Sequence, residues 1–260
     1  MSYNTLEVEK DAGKVIITLN NPDRRNALDC EMASELDDAL SKCEGDDSVK
    51  VIVITGKGKA FCAGGDVRAM ASAENPKEFL GNLSGCIHQP VTRIWNMEKI
   101  VIAAINGPTV GAGCGLAMAC DLRYASEKAK FNMGFMGVGL APGVGTYFLP
   151  RLVGRAKAGE LIYLNDTIDA KEARKLGLIN DYFDRDELMK KTLKIAGKIE
   201  KGPALAIGRA KTLIRLSERS QLNEHLEAER HMISVSGDTE DFREGVIAFL
   251  EKRKPEFKGK

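Results

Sequence analysis

No sign of charge dominates this sequence of 260 residues: 38 Lys and Arg stand against 37 Asp and Glu, a formal net charge of +1. That balance removes the usual argument for nucleic-acid or membrane-surface binding. No apolar run approaches the ~20 residues that a bilayer-spanning helix needs. The polar stretch after Met1 has no signal-peptide core, so a cytoplasmic location is expected. Histidine is scarce: His88, His225 and His231 are the only ones, and none lies at ligand spacing from a cysteine, which argues against a zinc site. The cysteines (Cys30, Cys43, Cys62, Cys86, Cys114 and Cys120) form no C-x-x-C pair and fall in apolar or helical stretches. They read as reduced thiols packing as small hydrophobes. Phosphate-loop chemistry is missing too, because no G-x-x-x-x-G-K-[ST] occurs.

What is present is a stretch from Ile105 to Asp121, in which a buried apolar run (100–105) meets Asn106-Gly-Pro108 and then Gly111, Gly113 and Gly115 among small residues. The pattern is strand, turn and helix, with a helix start almost bare of side chains. Such a start offers unpaired N–H groups and the positive end of the helix dipole. The run 51–55 repeats the arrangement: a strand, the glycine-rich turn Gly56 to Asp66, and a short helix through Met70 that Asp66 begins. Neither turn carries the acidic residue about 20 positions on that a dinucleotide site requires. Two N–H groups converging from two such turns would instead make an oxyanion hole.

Around these turns the chain reads as α/β. A β-hairpin spans Tyr3–Val8 and Val15–Leu19, and Asp29 caps a helix running to about Glu44. A polar, mobile link over 71–78 leads to a helical region reaching Met97, disturbed by Gly81, Gly85 and Pro90. Residues 131–147 read as loops and short strands. Helices are expected at 156–164, 169–176, 184–200, 203–217, 220–236 and 239–252.

The segments Ala60-Phe-Cys-Ala-Gly-Gly-Asp66, Ile102-Ala-Ala-Ile-Asn-Gly107, Gly111 to Asp121 and Leu149-Pro-Arg-Leu-Val-Gly154 resemble the enoyl-CoA hydratase/isomerase (crotonase) superfamily. Asn26-Ala-Leu28, Ala170 to Gly177 and Phe249 to Lys254 match it as well, so the resemblance covers nearly the whole chain. It implies a spiral of ββα units over residues 1–200 and a C-terminal helical trimerisation region over 201–260. It also implies an acyl-CoA thioester as ligand, with coenzyme A entering only as part of the substrate and no resident cofactor. Self-association to a trimer or a dimer of trimers is implied, and neither nucleic acid nor membrane is a partner. The oxyanion hole would be the N–H groups of Gly65 and Ala112. Ala63, Gly64, Gly65, Asp66 and Val67 would meet the adenine and pantetheine by backbone, with Asp66 also capping its helix. Arg24 or Arg25 would meet the CoA phosphates, or else carry a solvated loop charge. The acyl pocket would take in Met70, Gly115, Phe135, Pro142 and Gly143.

The chain departs from that family's hydratases where they place their acids. The first glutamate position is Gly115 and the second is Phe135, and the position used by some isomerases is Gly143. No Asp or Glu occurs from Lys99 to Cys120 or from Lys128 to Gly159. Hydration needs positioned proton transfer, so efficient hydration of a simple enoyl-CoA is not expected. His88, on the helix that borders the acyl pocket, and Tyr147, after Pro142, are the acid/base candidates, each with an ordinary surface or core role as the alternative. Cys114 at a helix N-terminus is either a stabilised thiolate or a packed thiol. Glu74 and Glu78 would have to swing in from their link. Isomerisation, decarboxylation or hydrolysis of an acyl-CoA is the expected chemistry. The other readings are a non-catalytic acyl-CoA-binding protein, favoured by a pocket sealed by Phe135, and an external base such as bicarbonate beside Gly115, favoured by a polar cavity there.

Overall fold

The structure is a computed structural model that describes residues 3–260. Its elements in order are β1 (Leu6–Asp11), β2 (Lys14–Leu19), α1 (Cys30–Gly45), β3 (Val51–Gly56), α2 (Val67–Ala71), α3 (Pro76–Asn96), β4 (Ile100–Ile105), β5 (Thr109–Val110), α4 (Ala112–Ala119), β6 (Leu122–Ser126) and β7 (Lys130–Asn132). There follow α5 (Gly145–Val153), α6 (Arg155–Tyr163), β8 (Ile168–Asp169), α7 (Ala170–Lys175), β9 (Asp181–Phe183), α8 (Leu188–Glu200), α9 (Ala204–Ser217), α10 (Leu222–Ser236) and α11 (Glu240–Leu250).

The main sheet has the order β1-β2-β3-β4-β6-β9. The β1–β2 hairpin is antiparallel and every later pair is parallel. A central parallel strand is covered on both faces, which is why β3 is apolar throughout rather than alternating. Ile52 and Ile54 face the large core beneath α1 and α3, whereas Val51 and Val53 face a second core under α8. A small sheet, β5-β7-β8, stands beside the first. Asp29 caps α1 by accepting from the Met32 N–H at 2.9 Å, and Met32, Leu36, Ala39, Leu40 and Cys43 form its buried stripe.

Three local expectations change. The hairpin is shifted toward the C-terminus on its first strand, pairing Leu6 with Leu19. The link before α3 is short, since Asn75 caps a helix that begins at Pro76. That helix then runs unbroken to Asn96: Gly81 and Gly85 face open space, and Pro90 packs into the core.

The cysteine reading is corrected as well. Cys30 and Cys86 are joined by a disulfide, with Cα atoms 5.3 Å apart, and this ties the start of α1 to the middle of α3. The other four cysteines are free and buried.

The C-terminal helices are fastened to the core by Lys211 of α9. Its ammonium donates to the Asp121 carboxylate at 2.8 Å and to the carbonyls of Ile94 and Lys99. Beyond that anchor, α10 and α11 leave Ile233, Phe249 and Leu250 largely exposed. No helix among the described residues is long and apolar enough to cross a membrane.

Candidate active site

The carboxyl ends of β3 and β4 lie side by side and deliver the two glycine turns to the same place. Backbone bonds lace the turns together: Val110 N–H donates to Cys62 O at 3.0 Å and Phe61 N–H donates to Pro108 O at 3.1 Å. The approach is close enough that a Cβ on Gly107 would run into the Lys59 carbonyl oxygen. Gly64 adopts φ +85, and a Cβ there would sit 2.7 Å from Val110 O and 3.4 Å from Ala112 N.

Asn26 fixes the first turn from below. It is fully buried at φ +55, a left-handed conformation that asparagine tolerates. Its side-chain amide donates toward the carbonyls of Lys57, Ala60 and Phe61, and its oxygen accepts from the Asn21 N–H. Next to it, Leu28 forms a parallel bridge with Gly65, using Gly64 O and Asp66 N–H. That pattern consumes the groups on either side of Gly65 and leaves its own N–H without an acceptor among the described residues. Ala112 is the first residue of α4, so its N–H is an orphan donor by helix geometry.

Gly65 and Ala112 both line one cavity of about 170 Å³, open to solvent. Met70, Leu83 and Ile87 form one wall, and Phe135, Leu140 and Val144 the other. A Cβ at Gly65 would stand 2.6 Å from Met70 Cε, the free end of a flexible side chain, so added bulk there requires Met70 to swing aside. The Phe135 ring lies against both Gly111 and Gly143 and borders the cavity without closing it.

Of the residues singled out in the sequence, Gly65, Met70, Ala112, Phe135 and Gly143 border this cavity. Gly115 and Pro142 do not. Gly115 is buried behind Val144, whose Cβ lies 2.5 Å from where a Gly115 Cβ would be, so Val144 forms the wall there. The space that an external base would need beside Gly115 is therefore filled.

The other candidates stand outside the cavity. His88 is exposed one helical turn beyond it. Tyr147 stacks edge-on with Trp95 and Phe148, lies under the Arg151 guanidinium, and donates its hydroxyl to Glu218. Glu74 and Glu78 are exposed, with Glu78 engaged in the Asn75 cap. Cys114 is fully buried, its thiol directed at the carbonyls of Thr109 and Asn132. Burial pushes that thiol up to about 12, which removes the thiolate reading.

Arg24 pairs with Asp66 at 2.8 Å, so one of its donors is engaged beside Gly65. Asp66 also accepts from the N–H groups of Arg68 and Ala69. Burial works against its charge, but these backbone bonds and Arg24 outweigh that and hold the carboxyl below its usual range. Val67 is exposed, and Ala63 is half-buried with its N–H given to Arg25 O.

Sequence reasoning missed three residues: Val144, the stapling side chain of Asn26, and Ser84, the only lining side chain among the described residues that bears a nitrogen or oxygen. Ser84 precedes His88 by four residues on a helix, a spacing visible in the sequence.

Gly65 and Ala112, each with a backbone N–H lacking an acceptor among the described residues, border a mainly apolar cavity whose described lining holds no Asp, Glu or His. Such donors stabilise charge developing on a carbonyl oxygen, and losing one costs about 10²–10³ in rate.

The enoyl-CoA hydratase/isomerase family model matches residues 9–260. The chain is similar to a crotonyl-CoA hydratase from Syntrophomonas wolfei, with 38% identity covering 99% of both chains. It is similar to a 1,2-epoxyphenylacetyl-CoA isomerase from Escherichia coli, with 36% identity covering 100% of both. Among solved structures it resembles an enoyl-CoA hydratase from Bacillus anthracis, with a TM-score of 0.95, 33% identity, and 99% and 100% of the two chains covered.

Proposed function

The chain belongs to the enoyl-CoA hydratase/isomerase family, and on that premise we propose that it holds the thioester oxygen of an acyl-CoA between the N–H groups of Gly65 and Ala112 and turns over an enolate without a protein carboxylate. The observation that carries this reading is the lining of the cavity, where Phe135 and Val144 stand in place of acids. Double-bond isomerisation, decarboxylation or hydrolysis then fits better than hydration. In decarboxylation the departing CO₂ supplies the electron pair that a base would otherwise release. The cavity of about 170 Å³ takes more than a single water and leaves room for an acyl group.

Coenzyme A enters with the substrate, its adenine and pantetheine running along the backbone of Ala63 to Val67. Arg24 has further guanidinium donors for the CoA phosphates beyond the one given to Asp66. Self-association to a trimer or a dimer of trimers would cover the apolar side chains left exposed on α10 and α11. A cytoplasmic setting belongs to the reading, and the Cys30–Cys86 bond counts against it, since such bonds are rare where thiols are kept reduced. The lining without Asp, Glu or His among the described residues favours, as a second reading, an acyl-CoA-binding protein without turnover, although Phe135 does not seal the cavity.

The test is product analysis on crotonyl-CoA, a 3-enoyl-CoA, a malonyl-type CoA and a β-keto acyl-CoA. Conversion of one of the last three, with crotonyl-CoA left essentially unhydrated, is expected. Hydration of crotonyl-CoA at an ordinary enzyme turnover of about 10 s⁻¹ would refute the reading.

A further inference from the structure

Ser84 sits on the wall of the acyl cavity, and its hydroxyl oxygen lies 3.2 Å from Nε2 of His88. The two residues are one helical turn apart on α3, so the helix itself sets their spacing. Ser84 is half-buried and faces the chamber that holds the Gly65 and Ala112 donors. His88 lies outside that chamber, on a groove shared with Asp37, Glu44 and Arg93, where its ring meets solvent. A serine hydroxyl alone is a weak base, and an adjacent imidazole is what activates it.

We propose that Ser84 is the proton-transfer residue of this cavity, with His88 acting through it as the connection to solvent. The inference rests on the enolate reading above. In the step, the substrate Cα–H bond breaks and its proton passes to Ser84 Oγ as the hydroxyl proton passes to His88 Nε2. The electron pair moves into the enolate, whose oxygen is held by the N–H groups of Gly65 and Ala112. Running the transfer backward returns a proton to the same carbon, or to the γ-carbon of an unsaturated chain, which shifts the double bond. No other reactant is consumed. The step requires a neutral imidazole with Nε2 unprotonated. Such a relay also explains why His88, though exposed, is placed against Ser84, the polar side chain among the described residues of an otherwise apolar lining.

The experiment is hydrogen exchange at the α-carbon of butyryl-CoA in D₂O, followed by NMR, with butyryl-CoA binding measured in parallel. The wild-type protein is expected to introduce deuterium. Ser84→Ala is expected to slow that exchange by about 10²–10⁴-fold with binding unchanged, the range for a lost general acid or base. His88→Gln keeps a hydrogen-bonding group beside Ser84 but takes up no proton at neutral pH, and a comparable loss is expected. Exchange at the wild-type rate in Ser84→Ala overturns the proposal, and so does a wild-type protein that binds butyryl-CoA without exchanging it. Wild-type exchange in His88→Gln removes His88 from the route. A wild-type protein that fails to bind butyryl-CoA overturns the acyl-CoA reading beneath the proposal, and the proposal with it.

Discussion

A Cβ placed on Gly115 would stand 2.5 Å from the Cβ of Val144. The absence of one side chain and the presence of another are therefore a single packing solution. Gly115→Glu has to displace Val144 and bury a charge, so it should lower stability by overpacking, on the order of 1–3 kcal/mol, plus the desolvation of the carboxylate. Combining it with Val144→Gly should recover much of the loss. Thermal unfolding of the single and double variants checks this, and an unaltered melting temperature in Gly115→Glu would mean that Val144 does not fill the site.

Asn26 holds the first glycine turn through three carbonyls and one N–H. Asn26→Ala removes this partner from the Lys57 and Phe61 carbonyls and the Asn21 N–H, while the Ala60 carbonyl keeps the Asn106 amide, at about 1–3 kcal/mol for each group left uncompensated. Because the same turn presents Gly65, turnover should fall along with stability. Denaturant unfolding and steady-state rates on one preparation test the pairing; a destabilised variant with wild-type kcat would separate Asn26 from the site.

The disulfide gives a thiol count. Denatured without reductant, the protein should titrate as four free thiols, and with reductant as six. Closing a loop with a sequence separation of 56 residues corresponds to about 4 kcal/mol in the chain-entropy account, so Cys30→Ser should unfold at lower denaturant. Six thiols without reductant would contradict the bridge.

Burial pushes the thiols of Cys62, Cys114 and Cys120 from 9.0 up to about 12. Cys43 is raised as well, to about 11, so between about pH 9 and 11 the folded chain keeps four protons that the unfolded chain releases. Stability is therefore fully present below about pH 9 and is lost as pH rises, with a slope of about 1.4 kcal/mol per pH unit for each thiol. Melting temperatures should fall steeply above about pH 9, and less steeply in Cys120→Ala. Equal slopes for the two proteins would contradict the assignment.

Most of the architecture is legible in the chain because it is local. The buried runs 51–55 and 100–105, the Asp29 cap and the helical periods from 156 onward each follow from patterns within one element. The pairing of Gly65 with Ala112 is legible only through the resemblance, since no local rule brings the ends of β3 and β4 together. What escapes the sequence is contact between distant elements. Cys30 and Cys86 meet because α1 packs on α3. Val144 matters because α4 carries a glycine against it. Pro142 and Gly115 lie beside the cavity in the chain but not on its wall. Arg24 is drawn to Asp66, a partner across 42 residues that charge patterning does not reveal.

The central claim is that the N–H groups of Gly65 and Ala112 hold the thioester oxygen. Difference infrared spectroscopy of bound butyryl-CoA carrying a ¹³C-labelled carbonyl reads that bond directly, whether or not turnover follows. The account predicts a carbonyl band moved to lower frequency than in free butyryl-CoA, and loss of most of that displacement in Gly65→Pro, which lacks the donor. A bound carbonyl at the free-ligand frequency in the wild-type protein would contradict it.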